Sequence, residues 1–503
     1  MTTEALKISC VENTNNALQI KCVVAFVFVV CACLGLYFQY PFNALPNTTP
    51  FILAFFRIVF FGLVVCRLWF GRHAAALLWG HQSVSYLKPI GCLWLLVAIA
   101  GCLGIGGAYS HYLNAILFFI VFYRSKYYSI EDIYYQLASF VVIFLPTTQV
   151  WSLDSLLGWG GNVGAVFGAD ITLLALNVYA WLLALMLLSA ATEKALTANW
   201  RKGLSFYYFV ALPHLTLPYW RWLKNYKLLC QFSSWMTVIG QGTLFVGYFI
   251  PALLPLLWLK QCAFGFLLIC IVDLSFIGQL FVAQFVLFFL ITLGSLTDSA
   301  SYVPASTPLL GVGMAALFIV FAAIRSFFLE LKGYHQWMPK WCDQSVRILS
   351  GSCPVKVFSD AHLFGLYIYQ VVDDSGKNVL PAFMDDGGPG PLQRWHPRYY
   401  QGAMYSVTDV CLAKRYWSEY SGSREDRLDD LLAAGFTLAA DSQRLTLRVK
   451  AINPSEHYEK NTSAWLDAQW TNIYEGVRQN GKVSTQWLGL PPAVKKTARN
   501  FKR

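Results

Sequence analysis

Leu173–Thr192 reads LLALNVYAWLLALMLLSAAT and runs directly into Glu193, Lys194, Ala195 and Leu196. No charge interrupts it over about the 20 residues that a straight membrane span needs, so it reads as a transmembrane helix. The charges gather at its end: Glu193 and Lys194, then Arg201 and Lys202 after Trp200. An ionisable residue there must snorkel, pair or work. A lysine withdrawn from water is also a candidate neutral base.

The composition outside this run has the same character. The chain has 503 residues, of which 56% are hydrophobic and 13% charged, and its mean hydropathy is +0.48. Soluble domains carry about 25% charged residues, which excludes an ordinary soluble enzyme. The apolar excess lies between residues 20 and about 330. The expected organisation is an N-terminal tail (1–19), a multi-span transmembrane domain (20–330) and a soluble C-terminal domain (331–503). The fold class is mainly α: a polytopic transmembrane helical bundle with a small mixed α/β domain, mostly β, at its C-terminus. Candidate spans are 20–40, 51–70, 89–108, 111–124, 130–147, 170–191, 233–258, 262–277, 279–296 and 307–327. Cys22–Phe38 is too long for a signal-peptide core, and no A-x-A-like site follows it.

The net charge of +11 sits beside apolar spans, as at Arg67, Arg72 and Lys88, Arg124 and Lys126, and Arg201 and Lys202. Such charges set membrane orientation and meet headgroups, so the expected partner is the lipid bilayer and not nucleic acid. Ten of the thirteen cysteines precede residue 331, many within apolar runs, where they act as small hydrophobes. No Cys/His cluster has metal-ligand spacing, so no metal is expected. Cys342 and Cys353 would pair if the C-terminal part lies outside the cytoplasm.

Further on, Val355–Val372 alternates as a strand, and Asp373–Gly376 (DDSG) is a hairpin turn signal. Arg424–Ala434 reads as helix, Leu445–Ala451 as strand, and the basic tail to Arg503 as loose chain. The aromatic and basic stretch Phe206–Tyr226 reads as interfacial.

Several segments together are similar to the vitamin K-dependent γ-glutamyl carboxylase and its bacterial relatives, which share one transmembrane domain. They are Leu53–Gly62 (LAFFRIVFFG), Trp151–Leu157 (WSLDSLL) and Ala191–Gly203 (ATEKALTANWRKG). The resemblance covers about residues 50–300. It implies a membrane carboxylase and epoxidase of the carbon–carbon lyase class, acting on a peptide or small protein. Reduced vitamin K or a related quinol would be the cofactor, with oxygen and carbon dioxide as co-substrates. It also implies an extracytoplasmic C-terminal domain in a multi-pass protein, with a membrane partner subunit as a further expectation. Lys194 becomes the candidate base, although the family lysine falls at Ala195. Family histidines fall at Glu131, beside Asp132, and near Asp273, so carboxylates stand where imidazoles would be. His214 completes the catalytic candidates. Arg57, Trp151 and Trp200 are the candidate cofactor contacts. Some bacterial relatives mature secreted peptide toxins, so maturation or export without carboxylation is the alternative, and a membrane scaffold gripping a partner is a third.

Each residue also has a plain structural reading. Lys194 would snorkel to headgroups or pair with Glu193. Asp154 would cap a helix through Leu156. Arg57, in mid-span, would pair with Asp154 or Asp273. His111 and His214 would be packing histidines, and Trp200 an interface anchor.

Overall fold

A computed structural model of the chain describes residues 3–38, 49–72, 75–79, 84–124, 130–145, 147–159, 169–212, 218–247, 309–329, 331, 333–350, 366–392, 397–416, 425–452, 469–480 and 482–493. Helices predominate, and a small antiparallel sheet closes the chain. In order they are α1 (Thr3–Tyr37), α2 (Thr49–Gly71), α3 (Ala75–Trp79), α4 (Val84–Leu103), α5 (Gly107–Arg124), α6 (Ile130–Phe144), α7 (Leu153–Leu156) and α8 (Ala169–Leu196). Then come α9 (Ala198–Arg201), α10 (Ser205–Ala211), a 3-10 helix (Pro218–Asn225), α11 (Lys227–Gly247) and α12 (Leu309–Phe328). The spans expected at 262–277 and 279–296 lie outside the described residues, as does the end of 233–258.

Among the described residues, three stretches are long and apolar enough to cross a membrane: Asn16–Tyr37, Leu173–Leu196 and Leu309–Phe328. They differ in environment. Within the Leu173–Leu196 span the helix is 78% buried, against 17% and 28% for the other two. A helix that is apolar all round belongs in the middle, and α8 is contacted by α1, α6, α11 and α12. The approach of α1 is close. A Cβ on Gly35 would fall 2.3 Å from the Trp181 ring, so glycine admits the indole there. The outer helices α1 and α12 leave Val23, Phe26, Leu310 and Leu317 exposed, as lipid-facing sides do.

Phe206–Leu212 is core and not interface. Tyr207, Tyr208 and Val210 are fully buried, because α10 folds back onto α11 and Ser234 Oγ accepts from the Phe206 N–H at 2.9 Å. Further along that stretch, Trp222 and Tyr226 show large exposed rings.

The C-terminal part is a two-layer arrangement. After α13 (Tyr334–Trp337) and α14 (Lys340–Ser350) come β1 (Leu366–Asp373), α15 (Pro397–Tyr416), α16 (Asp426–Leu438), β2 (Arg444–Ile452), β3 (Thr471–Gln479) and β4 (Lys482–Trp487). The strands pair antiparallel in the order β1-β2-β3-β4. Leu445, Leu447, Val449 and Ala451 of β2 alternate inward beneath the helices.

Two expectations change here. Part of the tail is not loose, since Thr471–Gln479 and Lys482–Trp487 form half the sheet. Asp373–Gly376 does turn, but it leads to a single bridge, Val372 to Asn378, and β1 pairs instead with β2. Asp373 Oδ1 organises that turn by accepting from the Ser375 hydroxyl and the Ser375 and Lys377 N–H groups. These bonds, that of Ser375 first, hold its carboxyl below the usual range. Cys342 is a buried free thiol, and Cys353 lies outside the described residues. The two parts touch: α15 and α16 contact α3, and Gln136 of α6 donates to Arg347 O on α14 at 3.0 Å.

Candidate functional site

Lys194 lies two residues before the C-terminal residue of α8 and is 5% exposed. Its Nζ donates to Gln241 Oε1 of α11 at 2.9 Å and stands 5.4 Å from the centroid of the Trp200 ring. Trp200 is buried on α9, so it is a wall of this site and not an exposed anchor. The Thr197 turn brings the ring back over the end of α8, with the Thr197 hydroxyl donating to Glu193 O at 2.7 Å. Glu193 pairs with neither Lys194 nor Lys202. Its carboxylate takes Lys21 of α1, and both members are largely removed from solvent. Lys194 therefore has no ion pair among the described residues. A neutral amine keeps the bond to Gln241 and offers a lone pair. The indole face supports positive charge once a proton is taken up.

The Lys21–Glu193 pair is itself testable. Lys21→Met should lower stability by about 3 kcal/mol, because a buried carboxylate is left unpaired. Lys21→Met combined with Glu193→Gln should restore most of it. A double variant no more stable than the single one would refute this coupling.

A second polar cluster forms where α2, the α4–α5 turn and the 147–154 segment meet. Arg57 is fully buried. Its Nη1 donates to Thr147 O at 2.6 Å and its Nη2 to Trp151 O. Thr147 Oγ1 shares a 3.3 Å hydrogen bond with His111 Nε2, and the imidazole stacks on Phe61 at 5.4 Å between centroids. Ser152, not Asp154, caps α7: its hydroxyl accepts from the Ser155 N–H at 3.0 Å. Asp154 reaches back instead, accepting from the Gly106 N–H at 3.2 Å. Arg57 thus finds main-chain carbonyls as hydrogen-bond acceptors, and Asp154 supports it at longer range. Two atoms of the cluster, Arg57 Nε and Asp154 Oδ2, are buried with no hydrogen-bond partner among the described residues.

Gly104 makes this packing feasible. Its φ is +70°, and a Cβ there would lie 2.4 Å from Ser152 Cβ and 2.8 Å from Arg57 Nη1. Gly104→Ala should therefore destabilise by on the order of 2–4 kcal/mol, combining a left-handed backbone with overpacking. Thermal unfolding in detergent measures it, and an unchanged midpoint would contradict the packing described.

The structure thus joins Lys194 to Trp200, and Arg57 to Trp151 and Asp154. Trp151 is 58% exposed, has φ +50°, and sets its ring edge against Phe51 at 5.3 Å. Glu131 and Asp132 sit in the first turn of α6, with side chains outside the described set. Asp273 and His214 lie outside the described residues altogether. Gln241 and Lys21 are additions, and His111, read from the sequence as a packing histidine, joins the Arg57 cluster through Thr147. Gln241 carried a signal, an amide inside an apolar run; the partner of Lys21 carried none. Neither the family models, nor the curated proteins, nor the solved structures contain a match to this chain.

Proposed function

We propose that the chain is a multi-pass membrane enzyme that modifies a peptide or small protein with a lipid-soluble quinol, Lys194 serving as its base. The observation that supports this is the setting of Lys194: a buried amine that, among the described residues, meets a carboxamide and an indole, while the adjacent carboxylate is occupied by Lys21. Reduced vitamin K or a related quinol suits that donor set, since its hydroxyl is an acid an amine can address and its ring an apolar surface. When bound, the quinol supplies reducing equivalents to oxygen and thereby a base strong enough to deprotonate a substrate carbon, to which carbon dioxide adds. Lys194 takes the first proton, Gln241 fixes the direction of its lone pair, and Trp200 faces the charge that results. Enclosure within apolar helices keeps water from competing for that proton.

The purified protein with reduced vitamin K, labelled bicarbonate and a glutamate-containing peptide should yield labelled peptide and oxidised cofactor. Neither product from well-folded protein would remove this reading. A second reading has one observation behind it: carboxylates at Glu131 and Asp132, where the resemblance expects an imidazole. Oxidised cofactor without labelled peptide would favour that reading, peptide maturation without carboxylation.

A further inference from the structure

The face of the sheet turned away from α15 and α16 carries a line of cations. Arg444, Arg448 and Lys450 have the same parity on β2, so their side chains share one face over roughly 20 Å. Trp470, one residue before β3, continues the register opposite Lys450. Its ring lies 5.3 Å from the Arg448 guanidinium and 5.1 Å from Lys450 Nζ. Beside Arg448 the β2–β3 register shifts, leaving Ile473 without a partner. Bulges of this kind re-aim side chains next to binding sites.

Arg448 is held in place. Its Nε and Nη2 donate to Gln370 Oε1 at 2.9 and 2.6 Å, and Gln370 is itself buried, donating to Phe383 O at 2.9 Å. Lys450 Nζ donates to Asp385 O at 3.1 Å. Counter-charge on this face comes from Glu475, which stands opposite Thr446 and accepts from Gln486 Nε2, and from two acidic side chains of the turns. The Asp385 carboxylate reaches Arg448 at 3.5 Å from a side chain 82% exposed, and Asp374 reaches Arg444 at 3.9 Å. No described residue accepts from Arg448 Nη1. Two cations on one strand face, fixed against one ring, repel each other unless an anion joins them. Asp385 occupies that position weakly, as an internal stand-in for a carboxylate from outside.

We propose that Arg448, Lys450 and Trp470 form a carboxylate-binding site, and that its ligand is an acidic peptide segment lying along β2 toward Arg444. A lone small anion would need two cations; the row of three matches side chains spaced along an extended chain. The proposal concerns binding and stands apart from the Lys194 chemistry.

The test uses the full chain in phosphatidylcholine nanodiscs and a fluorescent glutamate-rich peptide followed by anisotropy. The peptide should bind at least about tenfold more tightly than its glutamine counterpart, and weaken in roughly 0.5 M NaCl. Arg448→Gln and Lys450→Gln should each weaken it about tenfold, and Arg444→Gln about threefold. Lys450→Gln leaves the Gln370–Arg448 bonds intact, so it decides the matter if Arg448→Gln unfolds. Equal binding of the glutamine peptide, or full binding by a folded Lys450→Gln variant, would overturn the proposal. So would a phosphoserine peptide binding about tenfold more tightly, or loss of peptide binding when phosphatidylglycerol enters the disc, since each names a different occupant.

Discussion

Arg57→Met should lower stability by about 3–5 kcal/mol, a fall in unfolding temperature on the order of 5–15 °C in detergent. The guanidinium satisfies the carbonyls of buried Thr147 and of Trp151, and it balances the buried Asp154 carboxylate. Methionine fills the volume and supplies no donor. Arg57→Lys should recover only part of the loss, since a single ammonium cannot fork to two carbonyls four residues apart. Arg57→Met combined with Asp154→Asn should be milder than Arg57→Met alone. An unfolding temperature within about 1 °C of the parent for Arg57→Met would refute this account of the 147–154 segment.

Lys194→Met should reduce turnover by on the order of 10²–10⁴, the range for removing a general base. Its effect on stability should be small, because the amine has one neutral hydrogen-bond partner and no ion pair among the described residues. Lys194→Arg should be as inactive, since a guanidinium stays protonated. The decisive comparison is between turnover and unfolding temperature on the same preparation. If Lys194→Arg keeps near-parental turnover, the residue serves as a fixed charge and the base assignment fails. If Lys194→Met loses turnover only in proportion to its loss of folded protein, the role is structural.

The sequence made part of this legible. Leu173–Thr192 is uniformly apolar, so α8 and the charges at its end could be located directly. Arg57 stood out as a charge in mid-span. Its partners did not, because carbonyls of a turn 90 residues later have no side-chain signature. The same holds for the Trp200 wall, which depends on a turn at Thr197 that an aromatic residue near a helix end does not reveal. The sheet was half visible. β2 alternates over Arg444–Val449 and is buried from Val449 to Ile452, whereas β4 (KVSTQW) is exposed at five of its six residues and offers no hydrophobic period. Tyr207 and Tyr208 were misplaced for a related reason: aromatic residues beside basic ones mark an interface only when nothing packs over them.

The Lys21–Glu193 pair has a consequence for how the protein is made. Its members lie 172 residues apart in sequence. During synthesis at about 5–20 residues per second, α1 leaves the ribosome many seconds before α8. Through that interval Lys21 has no carboxylate to meet, and Glu193 later arrives at the end of an apolar helix that cannot hold it alone. Assembly of this region is therefore ordered: α1 must stay near its insertion site until α8 emerges. A nascent chain stalled before residue 193 should be recognised as unfinished, whereas one stalled past α9 should already hold its first helix in place.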